Sequence, residues 1–468
     1  MNTQKALQFV NEIWDNSIIP NLVDYICIPN KSPQFDKEWQ THGYMDLAVT
    51  LIKNWCQSQA LDNMKIDVIR LENRTPLIFM EIPGSSDETV LLYGHYDKQP
   101  EMSGWDTDLG PWKPVIKKDK LFGRGGADDG YSAFASLAAI KLLRAQNLPH
   151  ARCVIIIEGC EESGSFDLPF YIDALQDRIG QPSLIVCLDS GCGNYEQLWM
   201  TTSLRGLIGG ILQIQILEQG IHSGIGSGIV PSCFRVLRQL LNRIENENTG
   251  EIVLPSLQVE IPANRVQQTE CAVKVLDKSI FDKLPFHKNT QPQSTNLMEL
   301  LLNQTWRPAL SVTAVEGFPL IANAGNVTLP KLAVKLSMRI PPGCDPAKAA
   351  TNLKKILEKD PPYQASVSFE VQEKGAGWDA PAESPWLKQA AEGASRAYFG
   401  KEALYLGEGG SIPFMGMLGK KFPKAQFMIT GVLGPESNAH GPNEFLHIPT
   451  GKKLTCCVAD VISKHYAR

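Results

Sequence analysis

The chain has 468 residues, more than the roughly 250 to 300 that one hydrophobic core serves, so we expect at least two domains. Its 43% hydrophobic and 20% charged residues are typical of a globular protein and exclude a disordered or fibrous one. The formal net charge of −5 gives no basic surface for a phosphate backbone, which excludes nucleic acid as a partner.

The N-terminal residues lack the basic start, apolar run and small-residue cleavage site of a secretory signal. No stretch of the sequence reaches the ~18 consecutive apolar residues of a membrane-spanning helix. The 11 cysteines are an odd number without paired spacing, a pattern typical of reduced thiols that pack in the core. We therefore expect a cytoplasmic protein with no membrane partner.

Apolar spacing and composition in the first 205 residues predict helices over 4–25, 44–56 and 131–145. Short apolar runs bounded by turn residues predict strands over 64–71, 77–82, 90–94, 153–159 and 184–189. This alternation of strands and helices predicts the α/β class, with a mixed or mostly parallel sheet covered by helices.

From residue 206 the pattern changes. It predicts strands over 208–217, 310–315, 331–340 and 364–372 and helices over 232–244 and 346–359, whereas the polar stretch 245–303 shows little periodicity. This order is compatible with a two-layer βαββαβ sandwich, the ferredoxin-like arrangement, which we interpret as an inserted lid. Helix and strand units return from residue 375, so we predict one domain over 1–205 and 375–468 and a second over 206–374.

His95 and Asp97 come directly after the predicted strand at 90–94. A carboxylate near a histidine can orient the imidazole on a metal ion, although a hydrogen-bonded structural histidine gives the same pattern. The segment GRGGADDG then brings Asp128 and Asp129 together before a helix, where the alternatives are a metal site and a helix N-cap. It lacks the Lys-Ser/Thr of a phosphate-binding loop, which excludes that function.

Two further predicted strands are followed by acidic residues. Glu161 and Glu162 follow the strand at 153–159, and Asp189 ends the strand at 184–189. In a metal site one of the two glutamates would bind the metal while the other acts as general base, and the alternative is a solvated helix start. Ligands gather at the carboxyl ends of strands in such sheets, which favours the metal site.

His440 lies in the loop GPESNAHGPNE, where the alternative is a surface histidine. With His95 it would add a second imidazole to the carboxylates. Two histidines and three or four carboxylates are the ligand set of two divalent ions, with zinc first and manganese or cobalt as the other candidates. The set contains no thiolate, which disfavours a structural zinc site.

The chain resembles the M-twenty family of metallopeptidases, in particular its carnosinase-like, cytosolic nonspecific dipeptidase type. The segments that carry the resemblance are, in chain order, GHYDKQP, WDTDLGP, GRGGADD, EGCEESGS, CLDSG, GIHSG and EGGSIP. The resemblance implies a mixed-sheet di-metal exopeptidase core, formed by 1–205 and 375–468, with 206–374 as a ferredoxin-like lid and dimerisation domain.

The resemblance also implies a role for each candidate ligand. The implied ligands are, for one metal ion, His95 and Asp189, for the other, Glu162 and His440, and for both, the bridging Asp128. Glu161 would be the general base and then the acid, and Asp97 would orient His95. Asp129 would follow the bridging aspartate through a cis peptide bond.

Further substrate-binding residues and a homodimer are implied as well. His222, in GIHSG, would reach across the dimer to polarise the scissile carbonyl. Asn326, Arg339 and Ser411 match positions that bind the substrate carboxylate or backbone, and the planar fork of an arginine suits a carboxylate. Glu408 could hold a free amino group, which would favour dipeptides.

Two departures from the family pattern lie outside the ligand set. Members usually read DDKG after the bridging aspartate, whereas this chain has Gly130 in place of the lysine, and the proline of Asn-Val-Ile-Pro comes one place late, at Pro330. The predicted function is a co-catalytic di-zinc dipeptidase or carboxypeptidase that cleaves an amide bond with a water between two metal ions. The alternatives are an N-acyl amino acid deacylase and, because of Gly130, a catalytically silent binding protein, although a binder would not need Glu161.

Overall fold

The computed structural model describes residues 1–468, apart from the side chain of Pro413. The chain forms two compact units. The first consists of Met1–Thr202, Ala380–Leu406 and Pro413–Arg468, and the second of Ser203–Asp379 and Gly407–Ile412. Within the described part of the chain, every helix is too short or too polar to cross a bilayer.

The helices and strands are numbered α1 to α16 and β1 to β18 in chain order. The helices are Thr3–Ile13, Ile19–Ile26, Trp39–His42, Tyr44–Ser58, Tyr131–Ala145, Leu168–Ala174, Gln176–Ile179, Ser223–Gly226, Cys233–Leu241, Ala263–Leu276, Ser279–Asp282, Leu297–Thr305, Pro346–Glu358, Pro385–Phe399, Pro413–Lys421 and Ile448–Ala467. The strands are Lys65–Ile69, Leu77–Ile82, Ser86–His95, Val115–Lys117, Lys120–Phe122, Ala151–Glu158, Pro182–Cys187, Trp199–Leu204, Gly206–Gln215, Ile221–His222, Ala309–Glu316, Val327–Thr328, Lys331–Ile340, Ser366–Gly375, Trp378–Asp379, Leu404–Glu408, Gln426–Ile429 and Phe445–His447.

A six-stranded mixed sheet in the order β1-β2-β6-β3-β7-β17 forms the centre of the first unit. The strands β6, β3, β7 and β17 run parallel, whereas β1 and β2 are antiparallel to their neighbours. The central strands β3, β6 and β7 are rich in Val, Ile and Leu and are buried along most of their length. Such continuous apolar runs are typical of strands that are covered on both faces.

Helices α1, α4, α5, α14 and α16 share one hydrophobic core with this sheet. Helix α5 buries most of its residues because its sequence, YSAFASLAAIKLLRA, is composed mainly of alanine, leucine and other small or apolar residues. It begins at Tyr131, two residues after Asp129. The burial of α5 therefore fixes the position of the buried Asp128–Asp129 pair.

The second unit contains an antiparallel four-stranded sheet in the order β11-β13-β9-β14. With α9 between β9 and β11, and α13 between β13 and β14, the chain order is that of a βαββαβ sandwich. In β13 every second residue is buried, as a strand with one covered face requires. These buried residues share a core with α9 and α13.

The largest difference from the predicted elements lies in the polar stretch 245–303, which contains helices α10 and α12. The sequence of helix α10 shows no apolar periodicity, because two of the four residues that the helix buries, Arg265 and Thr269, are polar. The helix predicted over 4–25 is also interrupted by a π-helical turn, Trp14–Ile18. The predicted bounds of β2, α5 and β13 coincide with the observed ones.

Candidate active site

Three parallel strands of the first unit end at the same edge of the sheet. β3 lies between β6 and β7 and is parallel to both. His95 is the last residue of β3, the 3-10 turn Glu161–Ser163 follows β6, and Asp189 follows β7 by two residues. The sheet thus brings together candidate ligands that are far apart in the sequence, at the edge where α/β sheets bind ligands.

His95, Asp128 and Asp189 form a cluster that we call the first triad. His95 Nε2 lies 3.4 Å from Asp128 Oδ1 and 3.7 Å from Asp189 Oδ2. One ligand atom from each residue lies within 4.8 Å of the others, and all three residues are buried. This spacing allows the three side chains to hold one metal ion.

Asp128, Glu162 and His440 form the second triad, which also has three ligand atoms within 4.8 Å of one another. His440 Nε2 lies 2.9 Å from Asp128 Oδ2 and 3.3 Å from Glu162 Oε2. Asp128 therefore turns one carboxylate oxygen to each triad. The side chain of His440 is 56% exposed, whereas that of Glu162 is 3% exposed.

The unpaired polar atoms of these residues fit a pair of divalent cations. In the triads, His95 Nε2 and Glu162 Oε1 are among the buried side-chain atoms of the described residues that have no hydrogen-bond partner. A buried polar atom without a partner is costly, so such atoms are expected to point at something that the chain does not supply. Imidazole nitrogens and carboxylate oxygens are ligands of zinc and of related divalent ions.

Asp97 contacts residues of both triads without belonging to either. Its Oδ1 accepts a hydrogen bond from the Glu161 backbone N–H at 3.1 Å, and its Oδ2 accepts one from the Glu162 backbone N–H at 3.0 Å. His95 Nδ1 lies 3.1 Å from the Asp97 carbonyl oxygen and 3.5 Å from Asp97 Oδ1. One carboxylate therefore fixes the turn that carries both glutamates and lies beside the imidazole.

The Asp128–Asp129 peptide bond is cis. Asp129 Oδ2 accepts a hydrogen bond from the His95 backbone N–H at 3.3 Å, so this carboxylate faces the strand end and belongs to neither triad. Gly94 permits the close approach, since a Cβ there would lie 2.0 Å from Ser132 Oγ and 2.8 Å from Asp129 Oδ2.

The acidic side chains of the site have strongly shifted pKa values. Burial, followed by the charge of Asp189, raises the pKa of Glu161, and burial, followed by the charge of Asp128, raises the pKa of Glu162. Burial also acts to raise the pKa of Asp128, but hydrogen bonds from His440 and His95 outweigh it and hold that pKa below its ordinary value. Bound divalent ions would relieve this repulsion between neighbouring carboxylates.

Gln99 is a contact of the site that the sequence reasoning missed. Its Nε2 donates a hydrogen bond to Glu162 Oε2 at 2.6 Å. Its place in the segment GHYDKQP, four residues after His95, is the signal that could have identified it. The amide orients the glutamate of the second triad and leaves the first triad untouched.

Gly130 stands where the family pattern has lysine, and the structure leaves no space there for a side chain. A Cβ at Gly130 would lie 2.2 Å from Tyr25 Cε1 and 2.5 Å from the Gly125 carbonyl oxygen. On the same ring lies the ammonium of the buried Lys98, 3.9 Å from the ring centroid. Lys98 Nζ donates hydrogen bonds to the carbonyl oxygens of Tyr25 at 2.7 Å and Ile28 at 2.8 Å, and burial lowers its pKa.

The remaining predicted site residues all lie in the second unit. His222 ends β10, which pairs with β12 so that His222 is opposite Val327. Asn326 is exposed, and its carbonyl oxygen accepts a hydrogen bond from the Ser223 backbone N–H at 2.9 Å. His222 Nδ1 accepts one from the Gly224 backbone N–H at 3.0 Å. The structure therefore brings His222 and Asn326 to one end of this short ribbon.

Arg339 lies on β13 and is partly buried, which lowers its pKa. It faces a second arginine, Arg205, whose pKa is lowered to about 10 by burial and by the charge of Arg339. Arg205 donates from its backbone N–H to the Glu408 carbonyl oxygen at 3.3 Å and from Nε to the Gly409 carbonyl oxygen at 3.2 Å. This arginine therefore holds the segment that carries Glu408 and Ser411.

Comparison with known proteins shows relatives along most of the chain. The cysteinylglycine-S-conjugate dipeptidase of Corynebacterium striatum is 24% identical over 396 residues, which cover 82% of this chain and 83% of that protein. The human Beta-Ala-His dipeptidase is 27% identical over 387 residues, which cover 79% and 73%. The solved structure of the dipeptidase Dug1p from Saccharomyces cerevisiae has a TM-score of 0.80, with 21% identity, and covers 100% of this chain and 99% of that one.

The structural similarity confirms the predicted fold class, α/β with a mixed-sheet core and an inserted ferredoxin-like domain. The model of the peptidase family M20/M25/M40 matches residues 91–464, which is well over half of the chain and includes both triads. The family predicted from the sequence motifs is confirmed by this match. The chain therefore belongs to the peptidase family M20/M25/M40.

Proposed function

We propose that the chain is a dipeptidase that uses two divalent metal ions, held by the first and the second triad. The observation that carries the proposal is that the triads share Asp128, while Glu161 follows the same strand as the ligand Glu162 but belongs to neither triad. A protein that only bound metal would not need that additional carboxylate. The names of the relatives support dipeptides as the substrate class, since each of them is a dipeptidase.

Bound divalent ions would supply a water of lowered pKa and polarise the amide carbonyl. In the proposed mechanism Glu161 would take a proton from the attacking water as the water oxygen bonds to the carbonyl carbon, and it would pass this proton to the amine nitrogen as the C–N bond breaks. A carboxylate that belongs to neither triad is available to accept and return a proton, which suits this double role. Asp97 holds Glu161 and Glu162 by their backbone N–H groups and so keeps base and ligand in a fixed relation.

Zinc is the metal that we propose first, with manganese and cobalt as alternatives. Two imidazoles and three carboxylates without a thiolate suit all three ions, and zinc favours imidazole together with carboxylate ligands in catalytic sites.

For the substrate we propose contacts from the second unit. Arg339, Asn326 and Ser411 would bind the carboxylate or backbone of the substrate, and Glu408 would bind its free amino group. His222 would stabilise the oxyanion that forms on the carbonyl. The carbonyl contacts that hold 408–411 through Arg205 support a defined shape for this segment.

We also propose a homodimer in which the second unit is the lid and dimerisation domain and the first unit is the catalytic domain. Most of the large apolar side chains that are exposed belong to the second unit, among them Ile229 at 84% and Ile321 at 95%. Exposed apolar surface of this kind marks interfaces. The free thiols of the 11 cysteines support the proposed cytoplasmic location.

The experiment that tests the function compares wild type with Glu161→Gln on dipeptides and N-acyl amino acids, together with metal analysis of both proteins. We expect about two metal ions per chain in both and a loss of turnover of about 10²- to 10⁴-fold in the variant, because only the base is removed. The exposed Glu72→Gln is the matched control and should behave as wild type.

Two other outcomes would contradict the proposal. Turnover of N-acyl amino acids alone would make the chain a deacylase that uses the same metals. Two bound metals without turnover of any substrate by the wild type would make it a binding protein, as the loss of the lysine at Gly130 suggests.

A further inference from the structure

His440 of the second triad lies on an exposed loop whose shape needs support. Four non-glycine residues of this loop have positive φ, namely Glu436 at 64°, Asn438 at 54°, His440 at 63° and Asn443 at 60°. L-residues rarely adopt this conformation, so contacts must impose it. The imidazole of His440 is more than half exposed, and its contacts within 4 Å with charged groups are to Asp128 and Glu162.

The loop is tied to the first unit by Arg124, which is 1% exposed. Its guanidinium donates in three directions. Nη2 donates to the Gly441 carbonyl oxygen at 2.8 Å, Nη1 to Glu444 Oε2 at 2.5 Å, and Nε to the Pro100 carbonyl oxygen at 3.2 Å. The first of these acceptors is the residue directly after His440.

Glu444 completes this contact from the end of the loop. Its side chain is fully buried, and its Oε1 accepts a hydrogen bond from the Gly125 backbone N–H at 2.9 Å. Its carbonyl oxygen accepts a second one from the Gly123 backbone N–H at 3.0 Å. Gly125 precedes Asp128 by three residues. The carboxylate of Glu444 is therefore hydrogen-bonded to the turn that carries the bridging aspartate.

We infer that the buried Arg124–Glu444 ion pair positions His440 against Asp128 and thereby sets the metal affinity of the second triad. The inference rests on the proposed function, since it takes the second triad as a metal site. Both residues are positioning residues, because neither contributes an atom to a triad.

The shape of the guanidinium explains why arginine is needed. Its planar fork serves a carboxylate and two carbonyl oxygens at once, whereas an ammonium is a point charge without fixed directions. The pair reaches the first triad only through the turn that carries Asp128, because His95 is the last residue of β3 and Asp189 follows β7 of the central sheet by two residues. The pair should therefore act more strongly on the second metal position than on the first.

The test is a titration of the metal-free full-length protein with Co²⁺, whose visible absorption reports each binding step. The variants are Arg124→Lys, which keeps the charge but loses the fork, and Glu444→Gln, which keeps the volume and an acceptor for Gly125. Arg152→Lys is the matched control, because Arg152 pairs with Glu81 near the opposite end of β6. His440→Ala defines the signal of a lost second site.

We expect two binding steps in the wild type and the control. In both variants one step should weaken about 10- to 100-fold, the range for groups that orient a metal ligand, and it should be the step that His440→Ala removes. Thermal unfolding identifies the variants that still fold, and Glu444→Gln, as the more conservative change, keeps the test decisive where Arg124→Lys does not fold.

Equal weakening of both steps in a folded variant, or no weakening of either, would overturn the inference while the metal sites themselves stand. Unchanged two-step binding by His440→Ala would instead overturn the ligand set of the proposed function, and the inference with it.

Discussion

The two triads share Asp128 but are held in place by different means. In the first triad His95 ends one parallel strand and Asp189 lies two residues after another, and all three residues are buried. In the second triad His440 lies on an exposed loop, and the glutamate is oriented by Gln99. The difference teaches that the packing of a central sheet can preorganise most of one metal position, whereas the other depends mainly on a small number of buried side-chain contacts.

The largest effect is expected from the residue that the triads share. Asp128→Asn removes the charge that faces both positions, so both metal ions should bind at least about 100-fold more weakly, beyond the upper range for outer contacts of a ligand. Activity should fall in parallel. Metal analysis and dipeptide turnover measure this, with the exposed Asp119→Asn as control. Retention of one tightly bound ion would show that the triads are independent.

Replacement of the two histidines should lower the stability of the metal-free protein by different amounts. His95 is buried, so His95→Ala leaves a cavity and should lower the free energy of unfolding of the metal-free protein by about 2 to 4 kcal/mol. His440 is exposed but contacts the buried Asp128, so His440→Ala should lower it by a smaller amount, about 1 kcal/mol. Urea unfolding of both variants measures the contrast. Equal losses of stability would break the comparison between the triads.

A smaller effect is expected at Gln99. Gln99→Leu removes the hydrogen bond to Glu162 while keeping most of the volume, so affinity at the second triad should fall about 10-fold, with the first triad unchanged. The exposed Gln57→Leu serves as control. Titration with Zn²⁺ against a chelator measures both steps, and a weaker first step would contradict the assignment of Gln99 to one triad.

The elements of the fold that could be predicted are those whose own sequence shows the apolar pattern of a strand or a helix. The apolar runs of β3, β6 and β7 predicted the burial of these strands and the edge of the sheet at which His95 and the acidic residues lie. The predicted bounds of β2, α5 and β13 agree with the observed bounds to the residue. Helix α10 could not be predicted from its pattern, because two of its buried residues, Arg265 and Thr269, are polar, and Arg265 pairs with the distant Asp379.

The ligand candidates were recognisable because metal sites need acids and histidines in unusual places. Gln99, Arg124 and Glu444 were not, although each stands within a few residues of a ligand. Their roles arise only when loops that are distant in sequence meet, as when Arg124 reaches the carbonyl oxygen of Gly441. Nearness to a ligand in the sequence can point to such residues, as it could have for Gln99, but it does not show which contacts they make.

The packing of Tyr25 against Gly130 limits how a family sequence could be transferred onto this chain. The Cβ of a lysine at position 130 would lie 2.2 Å from Tyr25 Cε1 and 2.5 Å from the Gly125 carbonyl oxygen, and the same ring covers the ammonium of Lys98. Because one of these two clashes is with the backbone, a smaller residue at position 25 would relieve only part of the crowding. A graft of the family lysine would therefore have to bring a different turn around Gly125 with it.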